Sequence, residues 1–134
     1  MVNHQNIIDI SLKNKDISLI NSKCVVKESI IKNTPGVLLI HAHWCGHCTR
    51  FLPTYKKIAQ MLNTPDQLNI PLLALESEQL TDKDVVSKLN FGGFPTIKFF
   101  DQAGVIMDDD YNGKREINDI LKEICNRYHK CYQY

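Results

Sequence analysis

The sequence predicts an α/β fold in which helices flank both faces of a mixed central sheet. Two observations lead to this class. Apolar strand patterns alternate along the chain with amphipathic helix patterns, which is typical of parallel strands joined by helices. Near the C-terminus, two strand patterns follow one another across a turn, which predicts an antiparallel hairpin. The chain of 134 residues fits one domain, so we assign residues 17–134 to that domain and residues 1–16 to a polar N-terminal extension.

The first half of the predicted domain contains two strands and two helices. Residues 17–20 alternate in hydrophobicity, which favours a short edge strand. Residues 24–33 carry apolar residues at helical spacing and end at a Pro-Gly turn signal. Residues 37–42 form a nearly continuous apolar run, which is typical of a strand buried on both faces. Residues 46–62 have the spacing of an amphipathic helix, and Pro53 is expected to kink it.

The second half supplies three further strands and two further helices. Residues 70–75 predict a second buried strand. A capping-box pattern opens a helix over residues 81–89. Residues 95–100 predict a strand, and a turn joins it to residues 105–107 to complete the antiparallel hairpin. Residues 117–128 carry the buried stripe of a final helix.

The composition excludes two classes of partner. The chain is 43% hydrophobic and 23% charged, with a net charge of +1. Nucleic-acid binding requires clustered Lys and Arg, which this balance does not favour. The longest apolar run, Val37 to Ile40, is far too short to span a bilayer. We therefore expect neither a nucleic acid nor a membrane among the partners.

The two ends and the cysteine count lead to an expectation about the compartment. The first residues lack a basic stretch followed by a long apolar core, so no cleaved secretory signal is expected. The last residues do not form a retention signal of the Lys-Asp-Glu-Leu kind. Five cysteines are an odd number and too few for a disulfide scaffold. We expect a cytoplasmic chain or, because Ile, Asn and Lys are frequent as in AT-rich viral genomes, a virion component.

Two cysteines two residues apart, Cys45 and Cys48, stand between the first buried strand pattern and the following helix pattern. Thiol–disulfide exchange needs an attacking thiolate and a second thiol that resolves the mixed disulfide. Cys45 is expected at the helix N-terminus, where free N–H groups and the helix dipole stabilise a thiolate. Cys48 is expected one turn further along and more sheltered. This asymmetry predicts that Cys45 attacks and that Cys48 resolves.

Motifs on both sides of the cysteines follow a recognisable order. Residues 44–48 read Trp-Cys-Gly-His-Cys, and Pro53 follows at the position of a kink proline. Residues 93–100 contain an aromatic residue before a proline, and residues 111–115 have the pattern Tyr-x-x-x-Arg before the last helix. Together these motifs resemble the thioredoxin superfamily, and specifically the catalytic domains of protein disulfide isomerases. The resemblance covers about residues 17–128 and implies a thioredoxin fold.

The resemblance also implies a role for individual positions of the site. Pro95 would be cis and face the cysteines, and the backbone of Phe94 would pair with an extended substrate peptide. Trp44 would contribute to substrate contact, and Gly46 belongs to the catalytic motif. No metal is implied, and no cofactor other than the redox-active disulfide of the motif itself.

Two further residues are expected to tune the thiols. The imidazole of His47 can hydrogen-bond or carry charge near the Cys45 thiolate, which stabilises the reduced form and makes the disulfide more oxidising. By the resemblance, Arg115 lowers the pKa of Cys48 when it swings inward. We therefore predict a thiol–disulfide oxidoreductase that acts on protein or peptide thiols and leans towards oxidation and isomerisation. Glutathione or a reductase is a candidate partner for recharging it.

Two positions depart from the isomerase pattern. Leu39 stands where the family has a buried glutamate, and Ala74 stands where it has the accompanying lysine. The two losses agree, because removing only one would leave an unpaired buried charge. The family assigns transfer of the second cysteine's proton to that carboxylate, so we expect slower resolution and longer-lived mixed disulfides. His41 and His43, which replace a Tyr and a Pro, are alternative proton carriers.

Other interpretations of the cysteine motif stay open at this point. A zinc site would combine Cys45 and Cys48 with histidines, although zinc usually takes four ligands and the chain has no second Cys-x-x-Cys. A second enzymatic interpretation is a thioredoxin-like disulfide reductase. A third is a binding or virion protein that uses the fold without turnover.

The remaining cysteines and one acidic run receive simple interpretations. Cys24, Cys125 and Cys131 are expected to be ordinary apolar or surface residues. The last two lie six residues apart on one predicted helix and so point to different faces, which argues against a disulfide between them. The acidic run at residues 108–110 is expected to be a solvated turn or, alternatively, to hold Arg115 away from the site.

Overall fold

The computed structural model describes residues 7–64 and 67–134. Its elements are, in chain order, β1 (Ile8–Ile10), β2 (Ile17–Ile20), β3 (Lys23–Val26), α1 (Glu28–Ile31), β4 (Gly36–His41), α2 (Gly46–Leu62), β5 (Leu72–Glu76), α3 (Lys83–Leu89), β6 (Thr96–Phe100) and α4 (Ile117–Tyr128). A four-stranded sheet has the order β1-β5-β4-β6. β1 and β4 run parallel to β5, whereas β6 is antiparallel to β4. This mixed sheet confirms the predicted class.

The sheet separates two apolar cores, and β4 contributes to both. All six residues of β4 are buried. Leu38 and Ile40 pack into a core that β3, α1 and α3 cover, whereas Val37 and Leu39 pack into a core that α2 and α4 cover. The alternation of side chains along a strand produces this division. Helices therefore flank both faces of the sheet, as the sequence predicts.

The N-terminal segment contributes to the sheet rather than standing apart from it. β1 pairs in parallel with β5, with Ile10 beside Leu75. Ile10 is buried in the core that α3 covers. The assignment of residues 1–16 to an extension is therefore corrected from residue 8 onward, while residues 1–6 lie outside the described part of the chain. A strand of three residues has too little periodicity to be recognised from sequence.

The helix predicted over residues 24–33 is wrong in its first part. Lys23–Val26 form β3, which pairs antiparallel with β2, and only Glu28–Ile31 are helical. Cys24 and Val26 are both buried, and their separation by two residues is the period of a strand. In place of the predicted hairpin after β6, an isolated bridge joins Phe100 to Ile106, and a second bridge joins Val105 to Val25 of β3.

The two helices that position the site follow the sequence closely. α2 spans Gly46–Leu62, as predicted, with Pro53 inside it. α3 begins after Asp82, whose side chain accepts hydrogen bonds from the N–H groups of Asp84 and Val85. The cap is thus one residue later than the predicted capping box. Among the described residues, no helix combines the length and the apolar character that a bilayer crossing requires.

Cys125 and Cys131 form a disulfide, which corrects the prediction that they point to different faces. That prediction assumed one continuous helix through both residues, but α4 ends at Tyr128. His129 then adopts the left-handed conformation, with φ of 56°, and turns the chain back. The two cysteine Cα atoms thereby come within 4.4 Å of each other.

Candidate active site

The two cysteines of the motif lie at the N-terminal end of α2, where β4 and β5 both end. The chain leaves β4 at His41, and the Cys45 N–H then donates to the Ala42 carbonyl at 3.1 Å in a tight turn. Cys45 has an extended backbone and immediately precedes the helix. It is half-buried, whereas Cys48 is only 1% exposed. The two sulfurs therefore differ in accessibility as predicted.

Several groups stabilise a thiolate at Cys45. Hydrogen bonds from the backbone N–H and the thiol of Cys48, and from the N–H of His47, hold the pKa of Cys45 below its ordinary value of 9.0. The charge of Arg50 lowers this pKa further, while partial burial of the sulfur opposes these effects. The N–H donors are among those that the first turn of a helix leaves without a partner.

Burial raises the pKa of the Cys48 thiol above its ordinary value. A hydrogen bond with the Ala42 backbone and the charge of Arg115 act in the opposite direction, while the neighbouring Cys45 raises the pKa further. Cys48 thus stays protonated under conditions in which Cys45 ionises. Its proton must leave before its sulfur can attack another sulfur.

The peptide bond between Phe94 and Pro95 is cis, as the resemblance implies. The bond lies in the loop between α3 and β6, where the Thr96 hydroxyl donates to the Gly93 carbonyl at 2.6 Å. The Phe94 carbonyl accepts a hydrogen bond from the Cys45 thiol at 3.6 Å. The fold therefore brings together the cysteine motif and the proline segment, which are distant in sequence.

Three aromatic side chains lie beside the accessible sulfur. Trp44 is 67% exposed and meets Phe94 edge-on, with ring centroids 5.6 Å apart. Phe91 packs against Phe94 with a centroid separation of 5.8 Å. Trp44, Phe91 and Phe94 are termed the aromatic surface below. Large, partly exposed rings of this kind are common where a protein contacts a partner, and sequence reasoning identified two of the three.

The side chain of His47 is engaged with a residue that sequence reasoning missed. Arg50 donates to His47 Nδ1 at 2.9 Å. The spacing of three residues on one helix was the available signal, because it places the two side chains on the same face. A Cβ atom at Gly46 would lie 3.4 Å from Arg50 Nη1, which is an ordinary van der Waals contact, so the pair does not require glycine at this position. Arg50 thus contributes both to the position of His47 and to the electrostatics of Cys45.

Arg115 lies at the side of the site. It is exposed and lines a cleft of about 270 Å³ together with Pro95 and Tyr111. Its charge lowers the pKa of Cys48, which is the direction that the resemblance implies.

The acidic run at residues 108–110 forms ion pairs away from the cysteines. It pairs with Arg127 and with the fully buried Lys98, in each case at 2.6 Å. Among the described residues, the ion pairs of this run do not include Arg115. The alternative in which the acidic run holds Arg115 away from the site requires an ion pair with Arg115, and the ion pairs of the run are with Lys98 and Arg127 instead.

Leu39 and Ala74 are neighbours across β4 and β5, because their Cα atoms are register partners. Leu39 is fully buried and Ala74 is 2% exposed. A charged side chain at one of these positions would need its partner at the other, since an unpaired buried charge is strongly destabilising. The register thus explains why the two departures from the isomerase pattern occur together.

The two histidines before the motif have different surroundings. The backbone N–H and Nδ1 of His43 both meet Glu76 Oε1, at 3.1 and 2.9 Å. The side-chain hydrogen bond with Glu76 raises the pKa of the exposed His43. Partial burial opposes ionisation of Glu76, but hydrogen bonds from His43 and its other donors lower the pKa of that carboxyl to about 2. His41, by contrast, is 7% exposed, and burial lowers its pKa.

The zinc alternative finds no ligand set at the motif. In the part of the chain that the structure describes, neither Cys45 nor Cys48 belongs to a group of three His, Cys, Asp or Glu side chains close enough to share a metal ion. The contacts of both sulfurs are instead with backbone groups and with each other.

Comparison with known proteins agrees with this geometry. The family model for thioredoxin matches residues 19–126. Over 99 residues the chain is 37% identical to protein disulfide isomerase-like 2-2 of Oryza sativa subsp. japonica, a match that covers 72% of this chain and 25% of that protein. Thioredoxin f from spinach chloroplast superposes with a TM-score of 0.65 at 18% identity, over 94% of this chain and 96% of that one. Zinc-bound human ERp44 superposes with a TM-score of 0.67 at 18% identity, over 90% of this chain and 30% of that one.

This chain belongs to the thioredoxin family and has the thioredoxin fold. Its relatives named protein disulfide isomerase place it, at the level of the family, among the thiol–disulfide oxidoreductases. The chain is much shorter than these relatives. Its match covers 25% of the length of two of them, one from Medicago sativa and one from Oryza sativa subsp. japonica.

Proposed function

We propose that this chain uses Cys45 and Cys48 to exchange disulfides with protein or peptide substrates, with a preference for oxidation and isomerisation. The observation that carries the proposal is the difference between the two sulfurs. Cys45 is accessible and its thiolate is stabilised, whereas Cys48 is buried and keeps its proton. A purely structural pair of cysteines requires neither property.

In the reducing direction, the first step is attack by Cys45. Its thiolate forms a bond to one sulfur of a substrate disulfide, and the substrate S–S bond breaks. The second substrate sulfur leaves with the electron pair and takes up a proton from solvent. The product is a mixed disulfide between Cys45 and the substrate.

In the second step, Cys48 resolves that mixed disulfide. After losing its proton, its sulfur forms a bond to Cys45 Sγ, and the remaining substrate sulfur leaves as a thiolate. Two electrons have then passed to the substrate, and the protein holds the Cys45–Cys48 disulfide. Oxidation of a substrate follows the same steps in reverse, and isomerisation combines both directions.

The aromatic surface and the proline segment supply a docking site for a substrate peptide. Trp44 and Phe94 present rings beside Cys45, and such rings suit contact with an apolar peptide segment. The backbone of Phe94 precedes β6 and is not part of its ladder. An extended peptide can therefore pair with it by strand addition.

The preference for oxidation follows from stabilisation of the reduced form. Each group that lowers the pKa of Cys45 also stabilises the dithiol relative to the disulfide. The N–H of His47 and the charge of Arg50 are two such groups. The reduction potential should therefore lie nearer to that of protein disulfide isomerase, about −180 mV, than to that of thioredoxin, about −270 mV.

Equilibration with glutathione redox buffers, followed by quantification of the Cys45–Cys48 disulfide, tests this preference. The matched variant Arg50→Gln keeps a hydrogen-bonding side chain but removes the charge that lowers the pKa of Cys45. We expect it to lower the potential by about 30 mV, which corresponds to a tenfold change in the equilibrium with glutathione. A strongly reducing potential in the unaltered chain would instead favour the thioredoxin-like reductase.

Turnover assays separate the enzyme from a binding protein. We expect the chain to accelerate insulin reduction and the refolding of a scrambled disulfide protein, and the double variant Cys45→Ser/Cys48→Ser to do neither. Inactivity of the unaltered chain in both assays would favour a non-turnover binding or virion protein.

The partners and the compartment form part of the same proposal. The chemistry above uses no organic cofactor, and glutathione or a reductase would recharge the cysteines in a cytoplasmic or virion setting. The variant Cys48→Ser lacks the resolving thiol, so it should accumulate mixed disulfides through Cys45. Isolation of these species from the native source, with Cys45→Ser as the control, would identify the substrates and their location.

A further inference from the structure

The resolving step requires that Cys48 lose a proton inside the protein. Its side chain is 1% exposed, so bulk water has little access to the thiol. Leu39 and Ala74 leave the sheet face beneath α2 without the carboxylate and the lysine of the isomerase pattern. The proton acceptor must therefore be a different residue.

His41 directly precedes the residue whose backbone contacts this thiol, and it lies on the sheet face beneath α2. Val37 and Leu39 pack into the core beneath α2, and the alternation of β4 gives His41 the same direction. Cys48 belongs to the buried face of α2. The backbone of Ala42, which directly follows His41, hydrogen-bonds the Cys48 sulfur. The last residue of β4 is therefore one position from the backbone group that contacts the buried thiol.

The imidazole of His41 has free hydrogen-bonding capacity. The residue is 7% exposed, and both ring nitrogens are buried without a partner among the described residues. Buried polar groups are normally paired, because an unpaired one loses its hydration without compensation. A buried ring with two unpaired nitrogens, in the residue before the backbone contact of Cys48, is therefore available to exchange a proton.

A groove connects this imidazole to solvent. It has a volume of about 580 Å³, and His41 forms part of its wall. Polar side chains line much of the rest of it, including Asp9, Ser11 and Asn14 at the edge of the sheet that β1 forms, together with Ile10 and Ala74. Water in such a groove offers a route by which a proton can pass between His41 and the surrounding solution.

Burial leaves His41 neutral at rest despite the carboxylates around it. The titratable groups around it are Glu76 on β5, Asp9 on β1, Lys13 after β1 and His43 after β4. Burial lowers the pKa of His41, and although Glu76 and Asp9 act in the opposite direction, burial prevails. A neutral imidazole has a lone pair with which to accept a proton.

We infer, on the basis of the proposed function, that His41 accepts the proton of Cys48 in the resolving step and returns it to solvent through the polar groove. His43 does not take this part, because it is exposed and its Nδ1 is engaged with Glu76. The chain thereby replaces a buried carboxylate by a buried imidazole.

The step balances as follows in bonds and protons. The S–H bond of Cys48 breaks, and the proton moves to a ring nitrogen of His41. The thiolate forms a bond to Cys45 Sγ, and the bond between Cys45 and the substrate sulfur breaks. The substrate sulfur leaves with that electron pair and takes a proton from solvent. The His41 imidazolium then releases its proton to water in the groove.

Stopped-flow reaction of the reduced chain with 5,5′-dithiobis(2-nitrobenzoate) separates the two steps. The first equivalent of nitrothiobenzoate reports attack by Cys45, and the second reports resolution by Cys48. We expect His41→Gln, which keeps a polar side chain but takes up no proton, to slow the second release roughly tenfold or more near pH 7. The first release should be unchanged, and the difference should vanish at alkaline pH, where hydroxide deprotonates Cys48.

Two variants serve as controls. His43→Gln makes the same change at the neighbouring, exposed histidine and should leave both releases unchanged. Leu39→Glu/Ala74→Lys in the His41→Gln background places the carboxylate and its paired lysine on the same sheet face and should restore the second release. In the unaltered chain, the rate of the second release should follow a group that titrates below pH 6.5, the ordinary value of histidine. This profile tests the inference even where His41→Gln does not fold.

Each outcome bears on one proposal only. An unchanged rate and pH profile of the second release in His41→Gln would overturn the inference and leave the proposed function intact. The same holds if the unaltered chain shows no such titration. Absence of a fast first release from Cys45 would instead contradict the proposed function.

Discussion

One cysteine pair of this chain lies at the N-terminal end of a helix and the other at the C-terminal end of a helix, and the two pairs differ in chemistry. Cys45 and Cys48 open α2, and both are free thiols. Cys125 and Cys131 flank the C-terminal end of α4 and form a disulfide. N–H groups at the first site stabilise a thiolate, whereas the carbonyl end of a helix disfavours one. The position of a pair at the N-terminal or the C-terminal end of a helix, and not its sequence spacing alone, thus distinguishes the reactive thiols from the disulfide-bonded pair.

The two pairs also lie at opposite ends of the sheet. Near the second pair, the Tyr128 hydroxyl donates to the carbonyls of Gly36 and Phe100, where β4 begins and β6 ends. The first pair follows the other end of β4. The disulfide therefore holds the C-terminal tail against α4, away from the substrate-facing sulfur, and its loss should affect stability rather than activity.

The largest expected effect is on turnover. Cys45→Ser should reduce insulin reduction to the rate of the uncatalysed control, because it removes the attacking sulfur. The matched double variant Cys125→Ser/Cys131→Ser should retain the rate of the unaltered chain. Equal loss of activity in both variants would remove the distinction between the two pairs.

The second effect is on stability, and it should be larger at the Cys125–Cys131 pair than at Cys45. The disulfide closes a short loop, with a sequence separation of 6, so Cys125→Ser/Cys131→Ser should lower the free energy of unfolding by about 2 kcal/mol. Urea unfolding monitored by circular dichroism measures this change. Cys45→Ser, at a half-buried position, is the control and should change stability by less; a larger loss there would contradict the assignment of roles.

The smallest effect is a pH dependence in the loop that precedes the first pair. The pKa of Glu76 falls from 4.5 to about 2, so its contribution to stability is present above pH 4.5 and is lost as the pH falls towards 2. The pKa of His43 is raised, so its contribution is present below pH 6.5 and is lost as the pH rises through the raised value. Glu76→Gln should return the His43 pKa towards 6.5, as measured by NMR titration of the imidazole.

An unchanged His43 titration in Glu76→Gln would show that the hydrogen bonds between His43 and Glu76 do not form in solution.

Long periodic segments and local motifs could be predicted from the sequence. α2 has four turns of consistent apolar spacing, so its range follows from the pattern alone. The cysteine motif and the proline segment were recognisable because their residue types and order are specific. The cis bond at Pro95 and the burial of Cys48 then agree with what they imply.

Features that depend on tertiary contacts could not be predicted in this way. β1 is too short for a periodicity, and its place depends on the free edge of β5. The disulfide depends on the left-handed turn at His129, a residue that does not signal a helix end as Gly does. Glu76 approaches the loop before Cys45 only because β4 and β5 end side by side.

Alkylation of the chain by iodoacetamide across a range of pH, with each cysteine identified by mass spectrometry, tests the central claim most directly. Cys45 should react first and with an apparent pKa below 9.0. Cys24 and Cys48 should react slowly, because burial raises the pKa of both thiols, and Cys125 and Cys131 should react only after reduction. Reaction of Cys45 no faster than Cys24, or with an apparent pKa at or above 9.0, would contradict the account.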